Sequence, residues 1–396
     1  MSHVVVIGAG FGGLKAVEEL RARDRAVTIT LAAPRPTFFY WPSLVWVPSG
    51  WREPDALMVD VRDWLFRHRA AFHAGRVNAV RDEGRTVLTD TGALAADGLV
   101  VAGGAGVHDA PPGMEHAFAI CGGPADALGI RHRLAALERG RIVLAVAANG
   151  AHPPATRTAP ILELAFALDE QLRRERRRAR FRLDVVLPGA PERGPMAGLV
   201  TRLRGRGVAV HAGRRVARFA PDGVVTDDGT VASDLTVFSP ALAGPDFLAA
   251  GDLPVTASGH VAVDERARVP GLERVYAVGD AAAFPGPEWQ SKQAHTAELQ
   301  AETAARNLAA ELAGRRPGET VRHEVIHVVD GLGSSAFMLH NARHLWRLPP
   351  TRLGHYLKLG LEAESLRKYA PAGRVPRRAR GAVPSAGGRG LGRLGL

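Results

Sequence analysis

Val4-Val5-Val6-Ile7-Gly8-Ala9-Gly10-Phe11-Gly12-Gly13-Leu14-Lys15-Ala16 opens on an apolar run, turns through Gly-x-Gly-x-x-Gly and continues with helical spacing. A strand feeding a helix through such a turn is the start of a dinucleotide-binding unit. Gly8 permits the tight turn, Gly10 lets the backbone approach a pyrophosphate, and Gly13 packs helix on strand. The helix N-terminus offers amides and the positive end of its dipole to the anion. Gly8, Gly10, Gly12 and Gly13 are therefore candidate cofactor residues. A P-loop is excluded, because Gly13 is followed by Leu14 and not by Lys-Ser/Thr.

The rest of the chain agrees with a large enzyme. At 396 residues it exceeds one typical core, so two or three domains are expected. Apolar residues make up 46%, yet no uninterrupted run approaches the roughly 20 needed to span a bilayer. No charged leader precedes Val4, so export is not expected and the cytoplasm is the default location. A single cysteine, Cys121, excludes a disulfide framework and a cysteine-based metal site.

The formal charge of +11 raises a nucleic-acid reading, helped by Arg173-Arg174-Glu175-Arg176-Arg177-Arg178. That run follows the helical pattern Ile161 to Leu172 and reads as a solvated helix end whose cations complement the dipole. No DNA- or RNA-binding motif accompanies it, so no nucleic-acid partner is expected. Much of the remaining excess lies among Gly, Pro and Ala from 371 to 396, a composition that does not fold.

Two units of the same type follow one another. The first comprises the strand Val4 to Ile7, the helix Leu14 to Arg23 and the strand Val27 to Leu31. The carboxylate that normally ends the second strand and holds a ribose is missing, since the sequence reads Leu31-Ala32-Ala33-Pro34. Leu99-Val100-Val101-Ala102-Gly103-Gly104 is a buried strand running into a turn. The second unit begins at Arg141 to Val146, with the helix Ile161 to Arg174 and the strand Asp184 to Leu187. Its turn, Ala147 to Pro154, holds one Gly and two Pro, and no carboxylate follows Leu187. This is a nucleotide-type fold without an evident nucleotide seat. Farther on, Arg274 to Ala282 is a strand ending in Gly279-Asp280.

His323-Glu324-Val325-Ile326-His327 matches the pattern of zinc proteases, but its β-branched surroundings predict a strand. Positions four apart then lie about 13 Å from each other, too far for one zinc. No metal site and no Gly-x-Ser-x-Gly elbow is expected.

With the N-terminal glycines, Gly279-Asp280 resembles the second signature of a flavin adenine dinucleotide site, whose aspartate accepts hydrogen bonds from ribityl hydroxyls. The chain most resembles the sulfide:quinone oxidoreductases, with type II NADH dehydrogenases as more distant relatives, over nearly all of residues 3 to 370. The resemblance is carried by Phe39 to Val47, which matches a Pro-Ser-x-x-Trp-Val segment, by Ile120-Cys121, Leu162 to Phe166, Ser291-Lys292 and Val329-Asp330. It implies an α/β fold with two Rossmann-like dinucleotide-binding domains, each a three-layer ββα arrangement, and a C-terminal domain. The expected divisions are 1–110 and 241–315 for FAD, 111–240 for the second Rossmann-like domain, 316–370 for the C-terminal domain and 371–396 for the tail.

The resemblance further implies FAD as cofactor, held by Gly8, Gly10, Gly12, Gly13, Pro42, Ser43, Val77, Ala102, Gly103, Gly279, Asp280 and Lys292. Cys121, Glu163, Lys292 and His327 are its catalytic positions. A lysine at 292 stabilises anionic reduced flavin. Two further cysteines that carry sulfur in the family are absent. One belongs in the turn 149–155, the other at His327, and imidazole forms no persulfide. Cys121 matches a third, flavin-proximal cysteine, or is a small buried hydrophobe.

The expected activity is electron transfer from a small-molecule donor through FAD to a quinone-like acceptor, with sulfide oxidation impaired. An NAD(P)H:quinone reductase and a non-catalytic flavin-binding protein are the alternatives. The segment 349–370, read as a basic amphipathic helix, suits either a membrane surface or packing on its own domain or a second subunit. A homo-oligomer, peripheral on the cytoplasmic membrane, is compatible with both.

Overall fold

Four of the five strands in the first sheet come from residues 3 to 101, and the fifth returns from much farther along the chain. The computed structural model describes residues 1–107, 111–190 and 194–371. The strand order is Val275–Ala277, Gly98–Val101, His3–Ile7, Thr28–Ala33, Ala70–Ala74, all parallel. Val4, Val5 and Val6 are all fully buried, without alternation, because both faces of the sheet are covered. The helices Phe11–Arg23 and Ala294–Leu312 pack side by side, and the antiparallel meander Val77–Arg81, Thr86–Thr89, Gly92–Ala95 joins the same core through Val80 and Val87. Parallel pairing of Val275–Ala277 with Gly98–Val101 brings Gly279 and Asp280 to the strand ends where the glycine turn lies.

The second sheet repeats this plan. Its parallel order is Phe118–Ala119, Leu235–Ser239, Gly140–Val146, Phe181–Leu187, Ala209–Ala212, with a meander at Val216–Ala220, Gly223–Thr226 and Gly229–Ala232. The helix Ala159–Arg174 buries Ile161, Leu164, Ala165, Leu168 and Leu172 against it. The parallel α/β architecture expected of the chain is therefore present twice.

Two local expectations are corrected. The arginine run is not simply solvated. Asp169, fully buried, accepts hydrogen bonds from Arg173 at 2.9 Å and from Arg178 and Arg206 at 2.5 Å each. Burial alone raises a carboxyl pKa, but these three guanidinium groups hold Asp169 below the usual range. The second correction concerns the C-terminus. Leu345–Thr351 is the edge strand of an antiparallel sheet with Glu324–Asp330 and Ser335–Asn341, and the helix begins only at Arg352. Pro349 and Pro350 are tolerated at a sheet edge and not inside a helix. Thr351 caps the helix by accepting from the Gly354 amide at 3.0 Å. The zinc-protease motif lies on a strand from Glu324 onward, and the basic tail from 372 lies outside the described residues.

Candidate functional site

The glycines of the first turn serve different ends. A Cβ on Gly13 would sit 1.8 Å from the Gly8 carbonyl oxygen, and one on Gly8, at φ +102°, would sit 2.3 Å from the Ala102 oxygen. Those two positions are glycine for the chain's own packing. Gly10 has an ordinary φ of −88°, and a Cβ there meets no protein atom within 4 Å. No side chain caps the Phe11–Arg23 helix that Gly10 precedes. An open approach to an uncapped helix N-terminus fits the pyrophosphate of a dinucleotide.

A cleft of about 450 Å³ lies beside this turn, lined by Gly8, Val77, Gly103 and Asp246 among others. Asp246, which sequence order gave no reason to place there, brings a carboxylate to this cleft. A larger cavity, about 590 Å³, falls within the ~300–1,000 Å³ typical of small-molecule sites. Pro42, Cys121, Glu163, Lys292 and His327 all line it. The topology brings together residues spread over nearly three hundred positions of sequence. Ser43 is fully buried and lines neither cavity.

The Lys292 ammonium donates to the carbonyls of Gly279 at 3.2 Å, Asp280 at 3.4 Å and Ala282. Burial lowers its pKa to about 8, with Asp280 opposing. His327 receives a hydrogen bond from the Gln293 amide at 2.8 Å, and the Gln293 oxygen is fixed by the Ile326 N–H at 3.1 Å. Burial pushes His327 down to about 4, and burial with nearby Lys292 does the same to His152. Both imidazoles are neutral at pH 7.

Glu163 projects from the first turns of the Ala159–Arg174 helix and accepts a hydrogen bond from Lys358 of the C-terminal helix. Burial outweighs the pull of Lys358, so the carboxyl is pushed up to about 7. Lys358 also sits 4.6 Å from the Trp46 ring, whose indole N–H donates to Asp330 at 3.2 Å. Asp330 in turn bonds His355 at 2.6 Å. This network ties the C-terminal helix to the cavity wall.

The second Rossmann-like unit has no comparable cradle. Its first strand ends at Val146 and its helix begins at Ala159, where the first unit needs only the step from Ile7 to Phe11. The intervening turn is tied to itself. Asn149 donates from its side chain to the Leu242 carbonyl at 2.8 Å, and its backbone N–H donates to Thr156 at 3.0 Å.

Sequence reasoning missed Lys358, Gln293 and Arg157, all on the larger cavity. Lys358 hid in a helix read as basic. Arg157 had a signal: a cation immediately before a helix N-terminus opposes the dipole.

The chain matches the family "Pyridine nucleotide-disulphide oxidoreductase" over residues 2–144 and 192–301. It is 26% identical over 302 residues to the sulfide-quinone reductase of Aquifex aeolicus (strain VF5), covering 72% of this chain and 69% of that protein. To the type II NADH:quinone oxidoreductase of Mycobacterium tuberculosis it is 28% identical over 349 residues, covering 80% and 74%. Its structure superimposes on that of the Aquifex aeolicus sulfide:quinone oxidoreductase with a TM-score of 0.84 at 24% identity, covering 93% of this chain and 91% of that one.

Proposed function

The chain belongs to the pyridine nucleotide-disulphide oxidoreductase family and is an FAD-dependent oxidoreductase; from that premise we propose that it passes electrons from a small-molecule donor to a quinone. Bound FAD supplies the two-electron store that links the two half-reactions. Gly10 would face its pyrophosphate, in a turn whose shape the packing of Gly8, Gly12 and Gly13 sets, and Val77, Ala102 and Gly103 stand at the neighbouring strand ends. Pro42, Gly279, Asp280 and Lys292 hold the flavin end.

One observation carries the quinone reading. Leu353, Leu357 and Leu361 recur at four-residue spacing on one face of the Arg352–Tyr369 helix, all exposed, and Leu361 also lines the cavity. Trp346 and Leu348 extend the same apolar region on the preceding strand. An apolar stripe that ends at the mouth of the cavity suits an apolar acceptor arriving from a bilayer surface. Inside, the Glu163 carboxyl retains a proton near neutral pH, and reduction of a quinone consumes protons.

Sulfide is a poor donor in this reading, since Cys121 is the chain's one thiol and two sulfur anchors are needed for a disulfide or polysulfide bridge. NADH is favoured by the similarity to the Mycobacterium tuberculosis enzyme and opposed by the self-tied turn at 147–156. The test is anaerobic mixing of the purified protein with sulfide, thiols, NADH and NADPH, with a short-chain quinone as acceptor. Flavin bleaching by one donor, followed by quinone-dependent turnover, supports the proposal. A colourless protein that FAD does not reconstitute defeats it.

A further inference from the structure

Arg157 lines the larger cavity, and among the described residues its guanidinium makes no hydrogen bond or ion pair. Other arginines of the chain behave differently: Arg131, Arg173, Arg178 and Arg206 each hold a carboxylate. From this and the charges around it we infer that the cavity takes an organic anion, a carboxylate above all, and that Arg157 recognises it. The inference rests on the oxidoreductase reading and names the chemical class of a ligand of this cavity.

The charge balance of the cavity points the same way. Arg157 immediately precedes Thr158, the uncapped N-cap of the Ala159–Arg174 helix, so guanidinium and dipole present positive potential together. Lys292 adds a second cation, and the Lys358 ammonium is taken up in a hydrogen bond to the Glu163 carboxyl. Opposing them is Asp280, within electrostatic reach of both Arg157 and Lys292. Burial raises the Glu298 carboxyl and disfavours its charge, Glu288 is exposed at the rim, and His152 and His327 are neutral. Arg157 thus stands on the cavity wall beside a helix N-terminus, with Asp280 acting on it electrostatically but not through an ion pair, and a bound carboxylate would complete its pairing.

Shape narrows the class. A planar guanidinium pairs with both oxygens of a carboxylate, which a spherical halide or a neutral amide does not reproduce. Met196, Trp289 and Met338 line the same cavity and offer apolar surface to the remainder of the ligand. The best-matched molecule has one carboxylate and an apolar body.

The test uses the FAD-loaded protein and reads the visible flavin spectrum during titration with benzoate and, separately, with its neutral isostere benzamide. Benzoate is expected to perturb the spectrum saturably and benzamide to leave it unchanged. Arg157→Gln should weaken benzoate binding roughly ten- to a hundredfold, with Arg157→Lys recovering part of the loss. Equal responses to benzoate and benzamide, or undiminished benzoate affinity in Arg157→Gln, would overturn the inference. So would loss of FAD from Arg157→Gln and Arg157→Lys alike, since the arginine would then serve the cofactor. Should Arg157→Gln not fold, Arg157→Lys and the salt dependence of wild-type binding decide, an unchanged affinity at high salt counting against a charge-based site. Reoxidation by quinone is measured on the same preparation, so failure of the quinone reading and failure of the anion site are separate results.

Discussion

Gly10 and Gly13 lie three residues apart and should fail in opposite ways when substituted. A side chain at Gly13 collides with the Gly8 carbonyl, so Gly13→Val is expected to cost about 3 kcal/mol or more and to lower the melting temperature of the apoprotein. Gly10→Val meets only open space and should fold with an unchanged apoprotein melting temperature, yet purify without FAD. Retention of flavin by Gly10→Val would contradict the assignment of that space. Glu163 supplies a second expectation. Because its folded-state pKa is raised, the proton is held from the ordinary carboxylate range up to about 7 and is lost above it. Flavin reoxidation by quinone should therefore slow as pH rises through about 7, and in Glu163→Gln it should be about a hundredfold slower and flat with pH. The glycines were legible in sequence because backbone geometry dictates residue type at fixed spacing. The partner of Glu163 was not, because Lys358 lies 195 positions away and only packing joins them.

At the scale of elements, the two Rossmann-like units differ at the turn that a dinucleotide's pyrophosphate would approach. Both are five-stranded parallel sheets, but only the first passes directly from strand to helix. The loop that replaces the cradle in the second unit is fixed by the hydrogen bonds of Asn149 and Thr156. NADH at micromolar concentration is accordingly expected to bleach the flavin slowly and without saturation in stopped-flow mixing. Rapid saturable bleaching would promote the NADH reading. The repeat itself was readable from apolar runs and helical spacing. The edge strand Leu345–Thr351 was not, because its alternation is interrupted by two prolines and its pairing partner lies elsewhere in the chain.

Over the whole molecule, the apolar stripe on the C-terminal helix and the cavity form one continuous feature. No helix among the described residues is long and apolar enough to cross a membrane, so any bilayer contact through this stripe is made from the surface. Wild-type protein is expected to co-sediment with anionic liposomes, and the double substitution Leu353→Glu and Leu357→Glu to reduce that binding by about tenfold or more while leaving soluble-quinone turnover intact. Equal sedimentation of both proteins would assign the stripe to a protein partner. The sequence reading of a basic amphipathic segment did not anticipate that Lys358 and Glu362 are buried while the leucines are exposed, and the connection to the cavity through Leu361 required the fold.

The central claim is that this flavin gives its electrons to a quinone. It is tested most directly by photoreducing the FAD-loaded protein anaerobically, mixing it with a short-chain quinone and following return of the flavin's visible absorbance. The account expects rapid reoxidation whose rate saturates with quinone, as binding in the 590 Å³ cavity requires. A reduced flavin that stays bleached in the presence of quinone, or reoxidises at a rate merely proportional to quinone at every concentration, would contradict it.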